Sequence, residues 1–127
     1  MKLLLDSHTF LWWNNEPEKL SPHVLEMCQN PENTLILSVA SIWEMQIKIQ
    51  LGKLRINVPL AELIHQQEEN GVEILSVEAS HVFAVDTLPN HHKDPFDRLL
   101  VAQAIVEGAV LVSADPLIKQ YPVKVEW

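Results

Sequence analysis

The stretch DPFDRLLVAQAIVEGAVLVSADP, Asp94 to Pro116, holds a helix, a strand and an acid in close succession. Asp94 stands where an N-cap belongs, and Pro95 fits the first helical turn because its missing N–H leaves nothing unpaired there. Asp97 is harder to place. At helical spacing it shares a face with Leu100, Val101 and Ala104, so the apolar stripe should draw it inward. A carboxylate carried inward needs a partner, because burying an unpaired charge costs several kcal/mol or forces protonation. AVLVS, Ala109 to Ser113, follows as a strand that is apolar almost throughout, and Asp115 comes two residues later.

The same alternation runs outward along the chain. KLLL is a short apolar strand, with a helix through Thr9 to Trp13 behind it. SPHVLEMCQN opens a helix with Ser21 as N-cap and Pro22 in the first turn. TLIL (Thr34 to Leu37) is a second strand, and SVASIWEMQIKIQLGK a helix closed by Gly52. A helix from Pro59 to Gly71, a strand VEILSV (Val72 to Val77) and a helix EASHVFAVDTL precede Asp94. After AVLVS, DPLIKQ reads as a short helix and VKVEW as a final edge strand. Apolar strands alternating with helices signal a mainly parallel sheet covered on both faces. The expected fold is therefore α/β: a three-layer α/β/α arrangement, with residues 1–127 forming one domain.

Apolar residues make up 47% of the chain, enough for a packed core. No apolar run approaches the roughly 20 residues of a membrane span. The start, MKLLLDSH, meets an acid before a signal-peptide core could form, and Cys28 alone can make neither an internal disulfide nor a cysteine-based zinc site. A cytoplasmic protein is expected. The net charge of −8 disfavours a nucleic-acid-coating role, but leaves room for a nuclease whose local site holds a cation. Lys48, Lys53 and Arg55 are the one local concentration of positive charge, either a solvated helix end or a phosphate-binding edge.

In parallel sheets ligands bind beyond the carboxyl ends of the strands, and acids gather there. Asp6 ends KLLL, Asp115 follows AVLVS, Asp97 lies in a first helical turn, and Glu44 lies on the helix begun as TLIL ends. Each acid has a structural alternative. Asp6 and Asp115 could be N-caps, Glu44 could pair with Lys48 or close a capping box with Ser41, and Asp97 could favour a helix N-terminus or pair with Lys93. Together, four carboxylates on one rim repel unless a cation lies among them, and hard Mg²⁺ or Mn²⁺ suits oxygen ligands. Such an ion lowers the pKa of water and clamps a phosphodiester. Asp94 could add an outer contact, and Ser7 or Ser113 could orient a carboxylate. His8, His91 and His92 lie near the rim with no metalloprotease spacing, and read as exposed or hydrogen-bonding groups.

LLLDSHTFLWW, SVASIWEMQIKIQLGKL, DPFDRLLVAQA, LVSADPLI and YPVKVEW, taken in order over nearly the whole chain, resemble the PIN domain family, in particular the VapC-like toxins of type II toxin–antitoxin pairs. Ser7 replaces the Thr of many relatives and keeps the hydroxyl, and the terminal stretch is shorter than in many of them. The resemblance implies a metal-dependent endoribonuclease acting on RNA, with Asp6, Glu44, Asp97 and Asp115 in the acidic roles, and a cognate antitoxin as partner. The site's negative charge suits an antitoxin guanidinium, which can pair with two carboxylate oxygens at once. A homodimer is expected from the same resemblance and from Phe10, Trp12 and Trp13, whose apolar load exceeds the need of one helix face. The competing reading is a noncatalytic, Mg²⁺-binding receiver-like module. It requires a dedicated lysine beside the acceptor aspartate, which Asp6 lacks. A phosphatase with an Asp nucleophile is weaker still, since DSH offers no second acid two residues on.

Overall fold

The computed structural model describes residues 1–127. Five strands form one sheet: β1 (Lys2–Leu5), β2 (Thr34–Ser38), β3 (Glu73–Leu75), β4 (Val110–Val112) and β5 (Val125–Glu126). Their order is β3-β2-β1-β4-β5, and every neighbouring pair is parallel. β1 is central, flanked by β2 in the register Leu4 to Ile36 and by β4 in the register Leu4 to Leu111. That position explains why KLLL is apolar without alternation: Leu3, Leu4 and Leu5 are all fully buried, on opposite faces of a covered sheet.

The period of two along β1 divides the core. Leu3 and Leu5 pack with Phe10, Val24, Met45 and Leu63, which come from α1 (Ser7–Asn15), α2 (Pro22–Gln29), α3 (Val39–Gln50) and α4 (Leu60–Glu69). Leu4 points the other way, into a second cluster with Leu100, Val101 and Ala104 of α6 (Pro95–Glu107) and, at its edge, Ala84 and Val85 of α5 (Ala79–Val85). The result is the expected three-layer sandwich. The chain builds outward from β1 to β2 and β3, then crosses to β4 on the other side. The strand order therefore reverses between β1 and β4, where sheets of this kind open a crevice at their carboxyl ends.

Several expectations need adjustment. Phe10 is fully buried inside the first cluster, so it is not spare interface surface. Trp12 and Trp13 are half-buried against that cluster, with Trp12 tilted onto Trp127 at 5.8 Å. The large apolar side chains most open to solvent are instead Met1, Trp43, Leu51, Val82 and Phe83. VEILSV shortens to the three residues of β3, because an edge strand has only β2 to pair with. DPLIKQ forms only a 3-10 turn, Ile118–Gln120, and another, Pro17–Lys19, follows α1.

Helix α6 stops where Gly108 takes the left-handed conformation, φ 64°, and its N–H reaches back to the carbonyls of Ala104 and Ile105. A methyl group there would meet no neighbour within 4 Å, so any penalty is one of backbone conformation alone. Gly108→Ala should lower stability by about 1 kcal/mol, and Gly108→Asn by less, because Asn tolerates this region better. Urea denaturation would read this as a lower midpoint at unchanged slope. An unaltered midpoint in Gly108→Ala would contradict the conformational account.

Candidate active site

At the crevice between β1 and β4 lies a cleft of about 380 Å³ whose walls include Asp6, Glu44, Asp94, Asp97 and Asp115, with Lys48 the one lysine or arginine among them. Local structure explains how each acid arrives. Asp6 follows β1 directly, held in the sheet by its N–H donating to Val112 O at 3.2 Å, and its Oδ1 caps α1 by accepting from Thr9 N–H at 2.8 Å. Capping and site placement are thus compatible, since the cap engages one carboxylate oxygen and leaves the other. Asp115 behaves likewise: Oδ1 accepts from Leu117 N–H at 2.9 Å, while Oδ2 turns toward His92.

Glu44 is buried, and both of its oxygens are engaged. Oε1 accepts from Ser7 Oγ at 2.7 Å, and Oε2 pairs with Lys48 at 3.1 Å, the i,i+4 pair read from sequence. The Ser41 capping box does not form. α3 begins one turn earlier than that box requires, so Ser38 is the N-cap, its Oγ accepting from Ala40 N–H. Ser41 Oγ is buried without a protein hydrogen bond. Ser7 is therefore the hydroxyl that orients a carboxylate, whereas Ser113 Oγ accepts from the Asp115 N–H.

Asp97 does not pair with Lys93. Its Oδ2 lies 3.1 Å from His92 Nε2, which is also 2.9 Å from Asp115 Oδ2. His92 is thus a bridge between two of the acids, a role that sequence reasoning left among generic hydrogen-bonding groups. Its ring is oriented from behind. Nδ1 accepts from Asp94 N–H at 3.1 Å, so the proton of the neutral ring belongs on Nε2, facing both carboxylates. The backbone N–H of His92 donates to Tyr121 Oη, to which Arg98 also donates. The facing atoms of His92, Asp97 and Asp115 all lie within 4.8 Å of one another. His8 stays exposed over Trp12, and His91 lies against Tyr121. Asp94 caps α6 through Phe96 and Asp97 N–H and also lines the cleft.

The electrostatics follow from this crowding. Burial pushes the Asp97 carboxyl up from 3.8 to about 7, and the like charges of Asp94, Glu44 and Asp6 add to the shift while His92 opposes it. The donor set fits a hard divalent cation: carboxylate oxygens without thiolates, and one lysine as the only Lys or Arg on the wall to balance them. The structure brings Asp6, Glu44, Asp97 and Asp115 to one cleft, but gives them different freedoms. Asp6 Oδ2 and Asp97 Oδ1 have no protein hydrogen bond, whereas Glu44 is fully engaged.

The profile of the PIN domain family matches residues 3–124. Ribonuclease VapC22 of Mycobacterium tuberculosis is 27% identical over 120 residues, covering 94% of this chain and 91% of that protein. VapBC2 from Rickettsia felis, solved bound to a DNA fragment from its promoter, is similar with a TM-score of 0.73 at 19% identity, covering 99% of this chain and 98% of that one. DNA-bound VapBC from Salmonella typhimurium gives 0.69 at 15% identity, with 99% and 97% covered. At these identities the likeness to solved structures is one of fold.

The raised Asp97 value has a pH consequence. An unfolded chain releases this proton near 3.8 and the folded one near 7, so the folded state binds more protons between those values. Stability in EDTA should therefore fall as pH rises from about 4 to about 7. Asp97→Asn should match wild type at pH 3 and melt higher at pH 8. Thermal denaturation at the two pH values checks this, and equal melting of the two proteins at pH 8 would refute the crowding argument.

Proposed function

Because the chain belongs to the PIN domain family, we propose that it is a divalent-metal-dependent endoribonuclease and the toxin of a type II toxin–antitoxin pair. The observation that carries this reading is the cleft at the β1–β4 crevice, where Asp6, Glu44, Asp94, Asp97 and Asp115 converge from distant parts of the sequence. The 27% identity to a ribonuclease, over most of both chains, supports the same reaction class.

In this reading Asp6, Glu44, Asp97 and Asp115 form the catalytic, metal-holding set. When bound, Mg²⁺ or Mn²⁺ supplies charge neutralisation at the phosphodiester and lowers the pKa of water toward neutrality. Asp6 and Asp97 each offer an oxygen without a protein hydrogen bond, and are the principal ligands. Glu44 is oriented by Ser7 and Lys48, and Asp115 by Leu117 N–H and His92. Lys48, the one lysine or arginine on the cleft wall, is held against Glu44 and offsets part of the acids' charge. His92, with its proton on Nε2, steadies Asp97 and Asp115 rather than competing for the ion.

The partner in this reading is a cognate antitoxin, one segment of which lays an arginine among Asp6, Glu44 and Asp97. The chain acts in the cytoplasm as one domain and pairs as a homodimer. With Phe10 withdrawn into the core, the exposed apolar side chains of Val82 and Phe83 are what support self-association. The receiver-like alternative gains nothing, because Lys48 is engaged by Glu44 rather than held for Asp6.

Two measurements test the proposal. Mg²⁺ or Mn²⁺ should raise the melting temperature of wild type, and Asp6→Asn should remove most of that rise, since binding to the folded state alone links affinity to stability. Cleavage of single-stranded RNA should fall about 100-fold or more in Asp6→Asn and Asp97→Asn, the loss of several kcal/mol of charge stabilisation. A metal-induced rise without any cleavage would favour the noncatalytic module. An equal rise in Asp6→Asn would place the ion elsewhere.

A further inference from the structure

A second cleft, of about 300 Å³, adjoins the acidic one, and His8 and Trp12 line both. These two residues are therefore the sill between the clefts. His8 is exposed, Trp12 is half-buried, and their rings are 5.9 Å apart at a tilt of 46°. Beyond the sill the second cleft is walled by Arg55, with the amides of Asn15 and Asn57 beside it. Its one acid, Glu16, is paired with Lys19 at 2.7 Å. Arg55 is exposed and makes no ion pair. The same holds for Lys2, Lys53, Lys93 and Lys119, but of these Arg55 alone lines the second cleft.

Resting on the ribonuclease reading, we propose that this second cleft is a subsite for the unpaired strand of the RNA substrate, one base stacking on Trp12 and an adjacent phosphate held by Arg55. Charge decides the occupant. A polyanion approaching the acidic cleft is repelled by its carboxylates, so the strand needs a cation nearby to hold it in place. In a chain of net charge −8, three of nine lysines and arginines fall at Lys48, Lys53 and Arg55, and Arg55 is the one at this sill's far side. The indole supplies a π-face, which any unpaired base can use, and the flanking amides can reach base edges. A duplex keeps its bases stacked inward and cannot offer one to Trp12. The subsite therefore selects single strands and sets the register in which a phosphodiester meets Asp6 and Asp97.

The test is binding of a fluorescein-labelled, mixed-sequence RNA dodecamer, single-stranded or duplex, measured by anisotropy in EDTA across a salt series. Wild type should prefer the single strand. Arg55→Gln should weaken binding severalfold and reduce the salt slope by about 1, and Arg55→Lys should restore the slope. Trp12→Leu should weaken binding about tenfold, with Trp12→Phe retaining most of it. Lys124→Gln, just before β5, should change nothing. Arg55 is on the surface, so its variants remain informative even where loss of the Trp12–Trp127 contact unfolds Trp12→Leu. Wild type that binds RNA with Arg55→Gln unchanged in affinity and slope would overturn the subsite and leave the ribonuclease reading standing. Equal binding of duplex would overturn the unpaired-strand assignment. Failure of wild type to bind either RNA in EDTA would overturn the subsite, whereas absence of RNA cleavage with Mg²⁺ or Mn²⁺ present would overturn the ribonuclease reading itself. Weaker capture of the antitoxin by Arg55→Gln, with RNA binding intact, would give the cleft to protein instead.

Discussion

The parallel ladder through β1 is the constraint on which the other features depend. A parallel sheet sends every strand's carboxyl end to the same edge, and β1, paired on both sides, cannot tilt its end elsewhere. Asp6 is delivered to that edge by a single backbone step, and the Asp6 N–H is already committed to Val112 O on β4. Because strand order reverses between β1 and β4, the helices that would close the gap lie on opposite faces. A crevice results, and the acids of α3, α6 and the segment after β4 line it. The crowding that raises the Asp97 pKa follows from topology, before any ligand is considered.

That constraint also explains what could be read from sequence. Apolar strands without alternation, separated by helices, gave the covered parallel sheet, and the rule about carboxyl ends then located Asp6, Glu44, Asp97 and Asp115 from strand ends alone. Capping chemistry was legible where it is local: Asp6, Ser21, Asp94 and Asp115 all accept from backbone N–H groups within three residues. The failures were non-local. Ser7 reaches Glu44 across 37 positions, and His92 reaches Asp115 across 23, and no spacing rule connects them. Ser41 has capping-box spacing to Glu44, but the helix begins where the run from Ser38 places it, with Ser38 as N-cap, so Ser41 lies inside the helix. Phe10 looks spare from sequence because its burial depends on a cluster drawn from β1, α2, α3 and α4 rather than on its own helix.

His92 shows why a list of nearby donors does not define a metal site. By distance alone it joins Asp97 and Asp115 as a third ligand. Its other nitrogen decides otherwise. With Nδ1 occupied by the Asp94 N–H, Nε2 carries a proton toward the carboxylates and can donate but not coordinate. Partners of this kind fix the orientation of liganding groups and tune them, and their removal commonly weakens metal affinity 10–100-fold, roughly, without removing a ligand. The same Asp94 that caps α6 thereby sets the tautomer that steadies Asp97, so helix capping and site geometry are one device.

The cleft also joins parts of the molecule that the sheet keeps apart. Ser7 and Glu44 belong to the layer packed on Leu3 and Leu5, whereas His92, Asp94 and Asp97 belong to the layer packed on Leu4. The two cores share the sheet but no buried cluster, and the layers meet directly where α3 approaches α6, with Trp43 edge-on to Phe96 at 5.4 Å. Repulsion among the acids acts across this seam and pushes the layers apart. An ion held by Asp6 and Asp97 would reverse that force and draw one layer to the other. Its binding energy would then appear as stability of the whole sandwich rather than as order in one loop. The same geometry makes a guanidinium effective in the seam, since it too can satisfy carboxylates from both layers at once. On the proposed reading, catalysis and inhibition would draw on the same unbalanced charge, and the occupant of the seam would determine which follows.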